Sequence, residues 1–501
     1  MKRVAMMRTV ANRLFRSPKW LAGVLLVSAA YAQPTQSAGP NSNRFSLRQA
    51  IDIALQNNLT VKQGQLQVQN SDLQFYQAKM NRIPTLNAFG SQAFSSGRNI
   101  NPTTNTFVER AVSSNNYQLS TSVTVFNGFA IQNNIKQTDL FLQSSEESLK
   151  ATQNTVALTV VQNYLNVLNN EDQLDIARRQ VEATRGQVER TQRLVNAGTV
   201  AEATLYDIRA QLANDELAIV NAQNNLDLAK LALLQTMNLP GTGSPGAIEV
   251  ERIQFDDPAV APYTASPQQV YETALGIMPE IKAAELRVKS DALGIDVARA
   301  SMYPSLTLNG NLSTLYSSVG LQRLVSDGTL IQQPVPGLFV NMNGTPQQVF
   351  QTQQGGTFVP YAYGEQLRNN LNRSVSLNLR IPIFNNMQAR TRVTSATITK
   401  QNSEIAADNA RLQLRQQIEQ AYTNMLASAN RYRATQVQVA SLEQAFRAAE
   451  SRLNAGALNS VDYNIAKTNL DRSRANLVQA KYDYIFRTKI LDFYQNKPLS
   501  F

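Results

Sequence analysis

Few side chains in this sequence have the types and spacing that catalysis or metal binding requires. The adjacent acids Glu146 and Glu147, and Asp256 and Asp257, could act as acid and base or bind a cation. No further ligands stand at a metal-binding spacing, so these acids are interpreted as solvated faces. Cys and His are both absent, which excludes thiol nucleophiles, disulfides and histidine acid–base catalysis. The sequence therefore predicts no enzyme and no catalytic, cofactor-binding or metal-binding residues. The glycine-rich segment 240–246 lacks the Lys-Ser/Thr of a phosphate loop and is interpreted as a linker.

The first 32 residues have the features of a signal peptide. Six Lys and Arg residues precede the apolar run 20–29, and Ala30-Tyr31-Ala32 forms a small-x-small cleavage site. The apolar run is too short to span a bilayer as a helix, and an anchor that is never cleaved is the alternative. Removing this segment removes six basic residues and no acidic ones, so the formal charge falls from +11 to about +5. So small a charge argues against a nucleic-acid partner.

The chain contains an internal repeat. Residues 46–90 match residues 266–310 at an offset of 220, with twelve identities and no gap. Further along the offset becomes 258, and the tripeptide Asn-Ala-Gly at 196–198 recurs at 454–456. The sequence therefore predicts two copies of one structural unit, with the 38 extra residues of copy two between 310 and 384.

Each copy begins with a helical pattern and continues with two strands. Residues 46–82 and 267–303 have the apolar spacing of a helix, which Pro84 and Pro304 end. The strands that follow are apolar on one face and carry Ser, Thr or Asn on the other. They are predicted at about 85–94 and 117–126 in copy one, and at about 305–316 and 372–384 in copy two. Such lengths fit tilted membrane-spanning strands, although a soluble hairpin has the same alternation.

A long helical hairpin completes each copy. Residues 128–197 contain no Pro, and at 1.5 Å per residue they predict a rod about 100 Å long. Its small apolar residues recur at alternating intervals of four and three residues, which is typical of the packing stripe, or seam, of a coiled coil. The regular spacing of this seam slips, that is, changes register, near residues 169–172. The seam consists of Ala177, Val181, Thr184, Val188, Thr191 and Val195. Gly198 ends the rod, and a second helix returns to about 238. Copy two repeats this pattern, with its rod at 386–455, its break at Gly456 and its return to about 494.

Four strands per chain cannot close a barrel, which needs about eight. An open edge in lipid leaves backbone groups unpaired at a cost of several kcal/mol each. The strands can enter a bilayer only if several chains pool them, and three chains supply twelve. The same symmetry gathers the rods into a tube lined by uncharged polar residues. Residues 313–372 are predicted to be a loop that faces outside, as a plug, a recognition surface or a tolerated insertion.

The chain resembles the TolC-like outer-membrane efflux proteins over residues 45–497. The resemblance depends on the opening motif at 46–58 (SLxxAxxxALxxN), the joints at 125–128 (VFNG) and 381–385 (IPIFN), and the two Gly-containing tips. Each motif is weak by itself, but their order and duplication behind a signal peptide make the combination specific. The resemblance implies a mainly α fold with a small β part: a homotrimer whose 12-stranded outer-membrane β-barrel is continuous with a periplasmic α-helical barrel.

The resemblance also implies partners and a functional end. A periplasmic adaptor (membrane fusion) protein and an inner-membrane pump would feed the channel, no cofactor is required, and outer-membrane lipid surrounds the strands. In such proteins the hairpin tips form the periplasmic gate and meet the adaptor. The matching residues here are Ala197, Gly198, Thr199, Ala455, Gly456 and Ala457.

An acidic ring at the entrance is a further implication. In the family an acid often lies six places after the tip glycine, and Asp462 matches this in copy two. Copy one departs from the pattern, because Thr204 occupies that place with Glu202 and Asp207 nearby. A second acidic layer is doubtful, because Ile465 stands where its acid would be. The alternative for Asp462 is a solvated acid that favours the positive end of a helix.

The function expected from these features is that of an exit duct. It would be a passive trimeric outer-membrane channel, with a large periplasmic extension, in a tripartite efflux or type I secretion system. A trimeric surface adhesin with a helical stalk and a soluble periplasmic coiled-coil scaffold are the alternatives. The predicted boundaries are signal peptide 1–32, N-terminal extension 33–45, repeat one 46–238, inter-repeat linker 239–265, repeat two 266–497 and C-terminal tail 498–501.

Overall fold

The computed structural model describes residues 44–100, 105–239, 248–253, 263–319 and 322–497. The predicted signal peptide and C-terminal tail lie outside the described residues, as does most of the N-terminal extension and much of the linker. The helices are α1 (Leu47–Asn57), α2 (Leu59–Met80), α3 (Ala130–Asn196), α4 (Glu202–Met237), α5 (Pro267–Ile277), α6 (Pro279–Arg299), α7 (Tyr363–Asn369), α8 (Gln388–Asn454) and α9 (Ser460–Tyr494). The strands are β1 (Arg44–Phe45), β2 (Thr85–Ser95), β3 (Arg98–Ile100), β4 (Phe107–Glu109), β5 (Val112–Phe126), β6 (Glu249–Val250), β7 (Ser305–Ser317), β8 (Gln322–Met342), β9 (Thr345–Pro360) and β10 (Asn372–Arg380).

The element bounds repeat with the sequence offsets. α5 begins and ends 220 residues after α1, and α8 begins and ends 258 residues after α3. Each of α3 and α8 has 67 residues, which makes a rod about 100 Å long. The predicted mainly helical fold with a small β part is confirmed. No helix within the described part of the chain is both long and apolar enough to cross a membrane.

The first helical segment of each copy consists of two helices, and the single continuous helix predicted from the apolar spacing is wrong. Asn58 has an extended backbone, and its side-chain oxygen accepts a hydrogen bond from the Thr60 N–H at 2.9 Å, which caps α2. In copy two Met278 has the same backbone, because Pro279 follows it and disfavours a helical conformation there. The apolar period continues across both breaks, which is why the spacing did not indicate them.

The main sheet has four antiparallel strands in the order β10-β7-β5-β2, so β10 and β2 are its edges. Tyr117 lies opposite Thr314, and Leu119 lies opposite Leu312. Side chains that face each other across the strands point to the same side of the sheet. One side, here named the apolar face, carries Leu119, Val123, Leu308, Leu312, Leu377 and Leu379. The other side, the polar face, carries Ser, Thr and Asn from the alternate positions.

The structure corrects three predicted features of the strands. β5 begins at Val112, earlier than the expected 117, while β10 ends at Arg380 rather than 384. Pro382 cannot donate to a strand ladder, so the apolar alternation continues there without a strand. The predicted loop 313–372 contains the end of β7, an antiparallel hairpin of β8 and β9, and helix α7. The Pro and Gly residues in that segment favour a loop, so the sequence did not predict the hairpin.

Among the described residues, the helices enclose three clusters of buried hydrophobic side chains. The largest cluster joins α1, α3 and α4 around Tyr164, whose hydroxyl donates to the Glu251 carbonyl at 2.6 Å. Helix α6 packs against both α3 and α8. Its equivalent in copy one, α2, packs along α3. The rods therefore carry the sheet at one end and the two hairpin tips at the other.

Candidate functional site at the hairpin tips

The tip of the first hairpin is a glycine-dependent turn. α3 ends at Asn196, and Gly198 has a φ of +71°. The Thr199 N–H donates to the Leu194 carbonyl at 3.0 Å, and the Gly198 N–H donates to the Val195 carbonyl at 2.9 Å. This is a Schellman motif, in which a left-handed residue after the helix satisfies its last carbonyls. A side chain at Gly198 would be strained, so the turn explains this glycine without any further role.

The second tip has the same geometry. Gly456 also has a φ of +71°, and its N–H donates to the Leu453 carbonyl at 3.0 Å. The Ala457 N–H donates to the Arg452 carbonyl at 2.8 Å. All six predicted tip residues therefore occupy two matching turns. Their contact with an adaptor stays a prediction.

Asp462 lies in the first turn of α9. Its backbone N–H donates to the Asn459 side-chain oxygen at 2.7 Å, which caps the helix. Its side chain is exposed, and among the described residues its carboxylate has no hydrogen bond or ion pair. The acid therefore lies at the positive end of the helix with its charge free to face solvent or ions.

The three candidates from copy one have different surroundings. Asp207 accepts a hydrogen bond from the Ser460 hydroxyl at 3.1 Å, so it reaches the start of α9 in the other repeat. Glu202 accepts from the Tyr206 hydroxyl at 3.2 Å, within its own helix. Thr204 is half-buried and its N–H donates to the Ala201 carbonyl at 3.1 Å. The structure thus brings only Asp207, of these three, to the turn that carries Asp462.

Sequence reasoning missed a buried charged cluster between the two repeats. Lys467 of α9 is only 7% exposed, and its ammonium donates to Thr184 at 2.9 Å and to Asp215 at 3.2 Å. Thr184 in turn donates to the Asp215 carboxylate. Asp471 lies 3.6 Å from the same ammonium. Three helices, α3, α4 and α9, therefore meet at one lysine. We name these four residues the lysine cluster.

The lysine cluster holds two carboxylates for one ammonium. Burial raises the pKa of Asp471 above the ordinary range, and the charge of Asp215 raises this pKa further, while Lys467 lowers it. One Asp471 carboxylate oxygen is buried without a hydrogen-bond partner in the described part of the chain. A sequence signal for the burial of Lys467 does exist, because Lys467 has helical spacing from the apolar residues Tyr463 and Leu470. The structure buries these positions together with Ser460 and Ser473.

A second polar contact joins the repeats where the seam slips. The Tyr482 hydroxyl donates to the Asp172 carboxylate at 2.8 Å, and Arg252 pairs with the same carboxylate. Burial and the Asp172 charge raise the pKa of Tyr482, so the phenol keeps its proton as a donor. The predicted slip near 169–172 therefore coincides with this polar contact. Of the seam residues, Ala177, Val181, Thr184 and Thr191 are buried and Val188 and Val195 are half-buried.

The comparisons with known proteins agree with this architecture. A sequence model of the family "Outer membrane efflux protein" matches residues 50–239 and 270–489, one stretch in each repeat. These stretches cover most of the chain, so the chain belongs to the outer membrane efflux protein family. The predicted resemblance and the predicted outer-membrane location are confirmed. Within the described residues, no cluster of acidic side chains has a geometry that could hold a metal ion.

Individual relatives match part of the chain, and a solved structure matches nearly all of it. The outer membrane protein TolC of Escherichia coli K12 is 25% identical over 66% of this chain and 59% of TolC. The fusaric acid resistance protein FusA of Burkholderia cepacia is 32% identical over 32% of this chain and 29% of FusA. The chain thus spans less than two thirds of either relative. The structure of CusC, a protein that forms a transmembrane channel, has a TM-score of 0.69 at 18% identity and covers 96% of this chain and 100% of CusC.

Proposed function

We propose that this protein is the exit duct of a tripartite efflux or type I secretion system. Three copies form a passive conduit from the periplasm to the exterior, which a periplasmic adaptor and an inner-membrane pump open. The protein performs no reaction itself. The observation that carries the proposal is the open four-stranded sheet, whose edges β2 and β10 are unpaired among the described residues. Pooling three such sheets gives twelve strands and leaves no open edge in lipid.

The helices support the same assembly. Leu66 and Leu73 of α2 are 63% and 65% exposed. Their equivalents in copy two, Leu286 and Leu293, are half-buried, because α6 lies between two rods. Helix α2 has the same pattern, but within the described residues it packs along one rod, α3. A neighbouring copy of α8 would occupy the open side of α2, just as α3 occupies that side of α6.

The polar lining supports a duct rather than a binding protein. If the apolar face contacts lipid, the polar face with its Ser, Thr and Asn side chains lines the interior, which then holds water. The adhesin alternative is disfavoured because β2 and β5 are far in sequence from β7 and β10, whereas an adhesin would place its four strands together. The scaffold alternative is disfavoured because it would need no lipid-facing sheet.

The internal repeat predicts the register between neighbouring copies. Within one chain β5 pairs with β7, and Ser120 lies opposite Asn311. Applying the two offsets, 258 and 220, places Asn378 of β10 opposite Ser91 of the next copy's β2. We expect the variant Asn378→Cys with Ser91→Cys to form covalent trimers on mild oxidation, because directly opposite residues lie at disulfide distance. The chain has no Cys of its own to compete.

A register-shifted pair provides the control. Ser374→Cys with Ser91→Cys is displaced by four residues, about 13 Å along the strand, and should stay uncross-linked. Equal cross-linking of both pairs, or of neither, would contradict the proposed closure. The trimer should also give discrete single-channel currents in planar bilayers. A non-conducting trimer would contradict the duct even if the strands were cross-linked.

A further inference from the structure

Helix α7 lies on the apolar face of the sheet, at the end remote from the rods. The Thr314 hydroxyl donates to the Leu367 carbonyl of α7 at 2.6 Å. Thr314 alternates with Leu312 and Leu308, so its side chain lies on the apolar face. The Asn370 amide donates to the Leu315 carbonyl at 2.7 Å and fixes the end of the helix to β7. The helix therefore covers the lipid-facing side of the strand ends rather than the interior.

Three tyrosines meet beside this helix. The rings of Tyr316 and Tyr363 are 4.7 Å apart, and the hydroxyl groups of Tyr363 and Tyr117 are 2.9 Å apart. Tyr117 lies opposite Thr314, which places it on the apolar face as well. Tyrosine is enriched where a membrane meets water, because its ring is apolar and its hydroxyl can be hydrated. The tyrosines therefore indicate the level at which the outer surface of the bilayer crosses the sheet.

Two arginines stand at the same level. Arg368 follows Leu367 in α7, and Arg373 of β10 lies opposite Leu312 on the apolar face. Both side chains are exposed, and within the described part of the chain neither forms an ion pair. By contrast, the nearby Arg323 is paired with Glu365 at 3.5 Å. Arg368 donates to the Gly364 carbonyl of its own helix at 3.4 Å. Two guanidinium groups that lack ion pairs beside an apolar surface are complementary to a molecule with an anionic head and an apolar tail.

We propose that Tyr117, Tyr316, Tyr363, Arg368 and Arg373, here named the rim cluster, bind the phosphorylated headgroup of an outer-leaflet lipid. The planar guanidinium groups donate paired hydrogen bonds to phosphate oxygens. One hydroxyl of the Tyr117–Tyr363 pair donates to the other, so the pair offers one remaining donor at the same level. The acyl chains lie along Leu312 and Val375 of the apolar face. This inference rests on the proposed duct, because it requires the apolar face to contact lipid and the rods to be periplasmic.

Lipid binding to purified trimers tests the rim cluster. Diphosphoryl lipid A is added to the detergent-solubilised trimer, and bound lipid is counted by native mass spectrometry. The variant Arg368→Gln with Arg373→Gln should weaken binding about tenfold or more, because it removes charge-assisted hydrogen bonds to phosphate. The matched control is Arg380→Gln, which removes an arginine from the polar face of the same strand. It should keep the wild-type affinity, and inorganic phosphate should not displace the lipid.

Several outcomes would overturn the rim cluster. They are wild-type affinity in the double variant, an equal loss in Arg380→Gln, and displacement of the lipid by inorganic phosphate, which would indicate a site for free anions. Conductance and trimer mass are measured on the same preparations. A conducting trimer that binds lipid equally in all variants overturns the rim cluster alone. A wild-type protein that forms neither trimer nor channel overturns the proposed function.

Discussion

At the scale of single residues, the lysine cluster is the feature with the greatest energetic consequence. Lys467 and Asp215 are both almost fully buried and come from different repeats. Taking such a pair out of water is costly, and the attraction between the charges returns little net stability. Removing one partner of the pair is strongly destabilising, because the other charge then stays buried and uncompensated. The cluster therefore determines where α9 packs against the first hairpin, although it adds little to the net stability of that contact.

Lys467→Met should destabilise the protein. The substitution leaves Asp215 buried with only Thr184 and Gln211 as donors among the described residues, so we expect a loss of about 3–5 kcal/mol in the free energy of unfolding. Thermal unfolding followed by far-UV circular dichroism measures this loss. Combining Lys467→Met with Asp215→Leu should recover part of it, because Asp215 no longer leaves a buried charge and the carboxylate that remains, Asp471, is 20% exposed. A double variant as unstable as the single one would contradict this account.

Asp471→Asn should stabilise the protein in a pH-dependent way. The raised pKa of Asp471 means that the folded protein binds this proton more tightly than the unfolded chain. The ionised carboxylate therefore costs stability above its folded pKa, and the cost disappears as pH falls below the ordinary value of about 3.9. At pH 8 the variant should unfold at a higher temperature than wild type. We expect its free energy of unfolding to be about 0.5–2 kcal/mol larger. This difference should shrink on acidification, and a constant difference would disprove the assigned cause.

Asp462→Asn should reduce the preference of the channel for cations. Three copies of this exposed acid would place three negative charges around the entrance, where they raise the local concentration of cations. Reversal potentials in asymmetric salt measure the selectivity. Asp52→Asn is the matched control, because Asp52 is an exposed acid on α1, outside the hairpin tips. Unchanged selectivity in Asp462→Asn would rule out the charged ring. Asp462 would then be an acid that stabilises the start of its helix.

At the scale of elements, the sequence predicted long regular segments better than their interruptions. The rods α3 and α8 follow from the absence of Pro and from the seam, and their observed ends lie within two residues of the expected ones. The break at Asn58 was missed because the apolar period crosses it, and only the capping side chain produces it. Lys467 was missed for a related reason. A seam predicts where side chains are buried, while the partner of a buried charge depends on which helices meet in space.

Removing the β8–β9 hairpin should leave folding and assembly unchanged. Among the described residues these strands pack mainly on each other. Gln322 and Pro360 lie directly opposite each other, so two glycines can join them after deletion of 323–359. We expect the trimer to form and its stability to change by no more than about 0.5 kcal/mol. Loss of the trimer would show that the hairpin takes part in assembly. Apart from Arg323 and Asp327, the deleted segment contains no charged side chain, so the deletion also tests whether a largely uncharged plug limits the current.

At the scale of the whole molecule, the two repeats have corresponding elements, but these elements have different neighbours. Copy two has its first long helix, α6, enclosed between two rods, whereas α2 of copy one has one rod beside it. The same difference exists in the sheet, where β5 and β7 are paired on both sides and β2 and β10 on one. In both layers the missing neighbour is the element that a second copy of the chain would supply. A monomer is thus incomplete in the same sense in the sheet and in the helices beside it.

Leu73→Glu should therefore weaken the trimer without unfolding the subunit. Leu73 is exposed in the single chain, while its equivalent Leu293 is half-buried against a second rod. A glutamate there would bring an unpaired charge into the expected subunit contact, at a cost of a few kcal/mol per site. Gln69→Glu adds the same charge to the same helix, but its equivalent Lys289 is exposed even in copy two. Mass measurement by light scattering in detergent should show dissociation of Leu73→Glu into monomers and an intact Gln69→Glu trimer. Equal behaviour of the two variants would mean that the open side of α2 is not a subunit contact.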